Sequence, residues 1–291
     1  MSPRGRSAWA SKRWSIGEDP ATVATATFAL PFDGTSDPGE FRLLKLGPLL
    51  AVGIAVSLIL PATATAFTAA KPSLPLRALG STGDRSVPST NWAGYAARGP
   101  FHAFRNVSAR WVQPRAVCAS LSTYSAFWVG LDGFGSGTVE QVGTSSDCSR
   151  GRPVYYAWYE MYPRLPSFLP VPIHPGDRVV ASVTHTRSGR FALYLRNLTT
   201  GRHAITMQDM PYARASSAEV IAEAPLTSSR RSVLPLANFR QVSFADAIVN
   251  GRGIAAFHPT RLTMVVNRST VKARASEVVR GSGFSVTWNH R

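Results

Sequence analysis

From about Ser89 to the C-terminus the chain is a succession of short runs rich in Val, Ile, Tyr, Trp, Phe and Thr, each closed by Gly, Pro, Ser or Asp. Runs of this length and composition, bounded by turn residues, read as β-strands. Eleven stand out: NWAGYAA, RNVSARWVQP, SAFWVGLDG, TVEQVGT, VYYAWYEMYP, DRVVASVTHT, RFALYLRNLT, HAITMQDM, AEVIAEAP, RQVSFADAIVN and LTMVVN. Prolines fall between the runs, where they cost no ladder hydrogen bond. The pattern predicts an all-β sandwich or barrel. One run is ambiguous by itself. In ASSAEVIAEAP (215–225) Glu219 and Glu223 share a face in a helix or in a strand. Among so many strands, and closed by Pro225, the run is expected to be a strand too. Alternation then sends Glu219, Ile221 and Glu223 to one face, and Ala218, Val220 and Ala222 to the other, the core face. The two glutamates would stand about 13 Å apart.

The first 88 residues have a different texture. Residues 1–40 lack periodicity and are expected to be a disordered extension. Residues 41–66 carry Arg42 and Lys45, then an apolar run of 15 residues, Leu46 to Leu60, then Ala62, Ala64 and Ala66 in an A-x-A-like pattern. This is the layout of a secretory signal peptide. The run is short for a membrane span, which needs ~20 residues, so an anchor is the lesser alternative. Residues 67–88 are proline-rich and read as a linker or short pro-segment, and the β-rich body is expected over 89–291.

Export changes the reading of the two cysteines, Cys118 and Cys148. Outside the cell a disulfide between them is expected, with two buried thiols as the alternative. Charge changes less. The net charge is +16, carried almost wholly by arginine, with only four lysines. The arginines are scattered singly through the runs, which argues for a solvated basic surface and against a nucleic-acid partner.

Several chemistries have no support. The sequence holds no HExxH, no GxSxG and no DTG or DSG, and its six histidines lack ligand spacing. No cofactor or metal is called for. Eleven carboxylates follow residue 66, from Asp84 to Glu277. Among them Glu160 lies in an aromatic run, Asp132 in WVGLDG, and Asp177 in HPGD, where a turn role is expected. Asn106, Asn197 and Asn267 each begin an N-x-S/T sequon.

Seven segments in one order complete the picture: TNWAGYAA (90–97), FWVGLDGFGSGTVEQVGT (127–144), YYAWYEMYP (155–163), PGDRVVASV (175–183), LRNLTTG (195–201), AEVIAE (218–223) and LANFRQVSF (236–244). Together they resemble the glutamic peptidases, or eqolisins, over roughly residues 89–250. The resemblance implies a lectin-like, concanavalin-type β-sandwich of two antiparallel sheets. It also implies a Gln/Glu catalytic pair, falling here on Gln141 and Glu223. Trp92, Trp128 and Glu160 match cleft residues of the family. Val142 stands where threonine is common and Val220 where an aromatic is common; neither removes a catalytic atom.

The chemistry of the pair suits peptide hydrolysis. A glutamate can take a proton from water and pass it to the leaving amine. A glutamine amide is uncharged at any pH and donates two N–H groups, so it can orient the water or hold the oxyanion in acid. The expectation is a secreted, acid-acting, cofactor-free endopeptidase acting on proteins or peptides as a monomer. The alternative is a non-catalytic carbohydrate- or wall-binding sandwich, since fold alone does not decide function.

Overall fold

A computed structural model describes residues 86–291 apart from 228, 230, 231 and 267–269. The expected extension (1–40) and signal peptide (41–66), most of the linker and the Asn267 sequon lie outside the described residues. Sixteen strands follow one another: β1 (Ser86–Ser89), β2 (Trp92–Arg98), β3 (Asn106–Val112), β4 (Ala126–Leu131), β5 (Val139–Ser149), β6 (Arg152–Tyr162), β7 (Ser167–Leu169), β8 (Arg178–His185), β9 (Arg190–Asn197), β10 (His203–Asp209), β11 (Ser217–Glu223), β12 (Gln241–Val249), β13 (Arg252–Gly253), β14 (Thr260–Val265), β15 (Val271–Ala275) and β16 (Phe284–Trp288). One 3-10 turn, Ile254–Phe257, is the helical element among the described residues. All eleven anticipated strands are present. The structure adds β1, β7, β13, β15 and β16. β1 begins at Ser86 and pairs with β14, so the β-body starts three residues before the expected boundary.

Hydrogen bonding joins the strands in the order β10-β9-β8-β3-β12-β16-β15-β14-β2-β11-β4-β5-β6-β7. This ribbon folds over on itself. β8 and β9 lie against β4 and β5, while β3 and β12 lie against β11. The interior between the layers is apolar by alternation. Val179, Ala181, Val183, Phe191, Leu193 and Leu195 come from one layer. Phe127, Val129, Val142, Ala157, Ala218, Val220 and Ala222 come from the other. Polar links also cross: Trp111 Nε1–H donates to Thr144 Oγ1 at 3.0 Å, and the Thr144 hydroxyl donates to Gln113 Oε1 at 2.6 Å.

The second face of β2-β11-β4-β5-β6 carries its own apolar cluster: Ala96, Ala126, Trp128, Val139, Trp158 and Ile221, with Trp92, Phe134, Tyr156 and Tyr162 packed against it. β4 is therefore buried on both faces, which explains its unbroken apolar run.

Cys118 and Cys148 form the expected disulfide, with Cα atoms 5.4 Å apart. Cys148 lies within β5 itself, which runs further than TVEQVGT suggests. Asp177 closes a turn, its Oδ2 accepting from the His174 amide at 2.8 Å and from Asn197 Nδ2 at 2.7 Å. Asn197 is fully buried, its Nδ2 also donating to the Pro172 carbonyl at 3.0 Å. The exposed carboxylates Asp209, Asp246 and Glu277 each pair with an arginine, Arg190, Arg110 and Arg261 respectively. Such exposed pairs contribute ~0–1 kcal/mol each.

Candidate active site

The cross-strand register assembles the site. One row across the second face runs Ala96, Glu219, Gly130, Gln141, Glu160. The next runs Gly94, Ile221, Trp128, Gly143, Trp158, and the next Trp92, Glu223, Ala126, Ser145, Tyr156. Residues directly opposite in an antiparallel pair share a face. Gln141, Glu160, Glu219 and Glu223 therefore all leave the sheet on the side away from the main core.

Trp128 connects the rows of Gln141 and Glu223. It is fully buried, and its Nε1–H donates to Glu223 Oε2 at 2.7 Å. Two glycines make room for the indole. A Cβ on Gly143 would collide with the Phe127 carbonyl oxygen and lie 2.6 Å from Trp128 Cβ. A Cβ on Gly130 would lie 2.9 Å from the six-membered ring and 3.2 Å from Gln141 Cβ. Trp92 stacks edge-on against Trp128, ring centroids 5.1 Å apart.

The other oxygen of Glu223, Oε1, accepts from Asn91 Nδ2 at 2.9 Å, and the Ala224 amide donates to the Asn91 carbonyl at 2.8 Å. Asn91 thus fixes both the carboxylate and the chain that follows it. It was not singled out from sequence; the signal available was its place beside Trp92, which the register sets opposite Glu223.

Burial pushes Glu223 up to about 8, helped by the charge on Glu160. Donors from Trp92, Trp128 and Asn91 oppose the shift; the Trp92 indole N–H does so without meeting hydrogen-bond geometry. Glu160 Oε2 in turn accepts from Gln141 Nε2 at 2.6 Å. Gln141 is 5% exposed, and its Oε1 is buried without a hydrogen-bond partner among the described residues.

Glu219 is not the solvated edge that a helix would have given it. It is fully buried, and burial holds its carboxyl well above the usual range, with the Asp132 and Glu140 charges adding to the rise. Glu140, on the opposite face of β5 from Gln141, is likewise buried and is raised to about 9 by desolvation first and Asp132 second. Asp132 differs: its oxygens accept from the amides of Arg214, Ala215 and Ser216 and from the Ser216 hydroxyl, at 2.6–3.1 Å. It ties the end of β4 to the segment that leads into β11. Val142 and Val220 both face the main core, so the two departures from the family pattern touch packing between the layers and not the cleft.

Two surface depressions, of 330 and 270 Å3, lie beside Arg110 and Asp246 and beside the disulfide. Neither is lined by Gln141, Glu160 or Glu223, and the convergence of polar groups locates the site better than volume does.

The model of the peptidase A4 family matches residues 90–288. The chain belongs to that family. Among solved structures, scytalido-glutamic peptidase with a transition state analog inhibitor is 27% identical with a TM-score of 0.60, over 69% of this chain and 98% of that one. SCP-B, a member of the eqolisin family in complex with the tripeptide Ala-Ile-His, is 26% identical with a TM-score of 0.56 over the same shares. Aspergilloglutamic peptidase from Aspergillus niger is 25% identical with a TM-score of 0.51, over 57% of this chain and 99% of that one. Comparison with curated proteins gives no match. The chain is thus a glutamic-type peptidase on an eqolisin β-sandwich.

Proposed function

We propose that this peptidase is a secreted endopeptidase working in acid, in which Gln141 and Glu223 act on a shared water. The observation that carries the reading is the support around Glu223: one neutral donor on each carboxylate oxygen, Trp128 at 2.7 Å and Asn91 at 2.9 Å. Such a cradle keeps a carboxylate oriented inside an apolar surround while leaving it able to accept a proton.

In the proposed cycle a water hydrogen-bonds Glu223 and the Oε1 of Gln141. Glu223 takes its proton as the oxygen attacks the scissile carbonyl carbon. The remaining N–H of Gln141 stabilises the oxyanion. Glu223 then returns the proton to the nitrogen as the C–N bond breaks, releasing an amine and an acid.

A base must be ionised to act, and burial, with the Glu160 charge second, holds the proton on Glu223 up to about 8, which by itself works against acid action. What supports the acid range is Glu140, Asp147 and Glu219, whose raised proton affinities make low pH favourable to the fold.

The test is cleavage of a denatured protein between pH 2 and 7 by the purified chain, with pepstatin present, beside Glu223→Gln. Cleavage by the wild type and none by the variant is expected. Near-full activity in the variant defeats the assignment. Export is checked separately by the N-terminus of the secreted protein, expected just after Ala66. Recovery of residues 1–60 on it would refute cleavage there.

A further inference from the structure

Glu160 sits opposite Gln141 on neighbouring strands and accepts a 2.6 Å hydrogen bond from its Nε2. We infer that Glu160 is a positioning residue with two effects: it fixes which way the Gln141 amide points, and it thereby decides which atom Gln141 offers to a water. The inference rests on the Gln141/Glu223 reading and adds to it.

Both follow from the inventory of an amide. Gln141 has one acceptor oxygen and two N–H donors. An acceptor-only carboxylate beside it selects the rotamer that turns Nε2 toward β6. Oε1 is then the atom left without a partner, 95% of the residue being buried. With the amide reversed, two oxygens would face each other at 2.6 Å. Glu160 thus decides that Gln141 offers an acceptor to a water, with one N–H in reserve.

Two substitutions test this. Glu160→Gln keeps an acceptor for Gln141 and should hold kcat within about tenfold of the wild type. Glu160→Ala removes the acceptor and should lower kcat by a further ~10-fold with KM little changed, the pattern of a contact made in the chemical step.

Equal kcat for Glu160→Ala and Glu160→Gln, or a loss in Glu160→Ala carried by KM, overturns the inference, because the acceptor then makes no difference to the chemical step. If Glu160→Ala does not fold, Glu160→Leu, which keeps the volume and lacks the acceptor, takes its place. Both Glu160 variants unchanged beside a dead Glu223→Gln sinks this inference and leaves the catalytic pair standing. An active Glu223→Gln sinks the pair itself.

Discussion

Trp128 Nε1–H donates to Glu223 Oε2 at 2.7 Å across 95 residues of sequence. The bond joins a residue at the centre of a strand buried on both faces to the last residue of its neighbour β11. It makes the indole both a packing element and an electrostatic support, and the two roles come apart in a conservative substitution. Trp128→Phe keeps an aromatic ring and loses the donor. Because the donor favours the ionised form, its loss should raise Glu223 further. The ascending limb of the pH–rate profile should move to higher pH, with a stability cost of about 1–3 kcal/mol from the volume removed. A limb that stays in place while the melting temperature falls would leave Trp128 with packing alone.

Gln141→Ala should lower kcat by about 10²–10³, the usual loss of an oxyanion donor. Glu219→Gln should do far less, since Glu219 is enclosed and its Oε1 faces the Phe134 amide at 3.4 Å. Single-turnover rates on one peptide compare them directly; a larger loss for Glu219→Gln would reverse the assignment.

The fold should weaken as pH rises. Folded Glu140, Asp147 and Glu219 hold protons that the unfolded chain releases near pH 4. Between those values the native state binds more protons, so stability is fully present below about pH 4 and is lost as pH climbs through about 7 for Asp147 and about 9 for Glu140. Thermal melts at pH 5 and pH 9 should differ by on the order of 10 °C, the lower pH being the more stable. Glu140→Gln should shrink the difference. Equal melting temperatures at both pH values would contradict the burial of these carboxyls.

Gly143→Ala places a methyl against the Phe127 carbonyl and Trp128 Cβ. Backbone atoms cannot yield as a flexible side chain would, so the strand or the indole must shift. The expected cost is about 1–3 kcal/mol, read from denaturant midpoints, together with a drop in kcat as Trp128 leaves Glu223. Unchanged stability and rate would show that the row has slack.

The sequence determined much of this protein by itself. Period-2 runs closed by turn residues carry their own strand signal, so β2 to β6, β8 to β12 and β14 were legible from local chemistry. Alternation alone put Glu219, Ile221 and Glu223 on one face and Ala218, Val220 and Ala222 on the other, because side chains in a strand have nowhere else to go. Short β1, β7, β13, β15 and β16 were not singled out: a strand of two to five residues is held largely by its partners, although β16 alternates and sends Phe284 and Val286 into the core. Two cysteines after a run laid out like a signal peptide were enough to expect the disulfide. Tertiary structure decided the rest. No local pattern reveals that Asn91 and Trp128 grip Glu223, that Glu160 faces Gln141, or that Glu219 is enclosed. Those facts depend on strand order and register, where β11 is placed between β2 and β4 and β5 against β6. Strand order is a long-range choice, fixed by which apolar faces cover one another, and it alone gives scattered glutamates different partners: Glu219 enclosed, Glu160 paired with Gln141, and Glu223 held by a tryptophan and an asparagine.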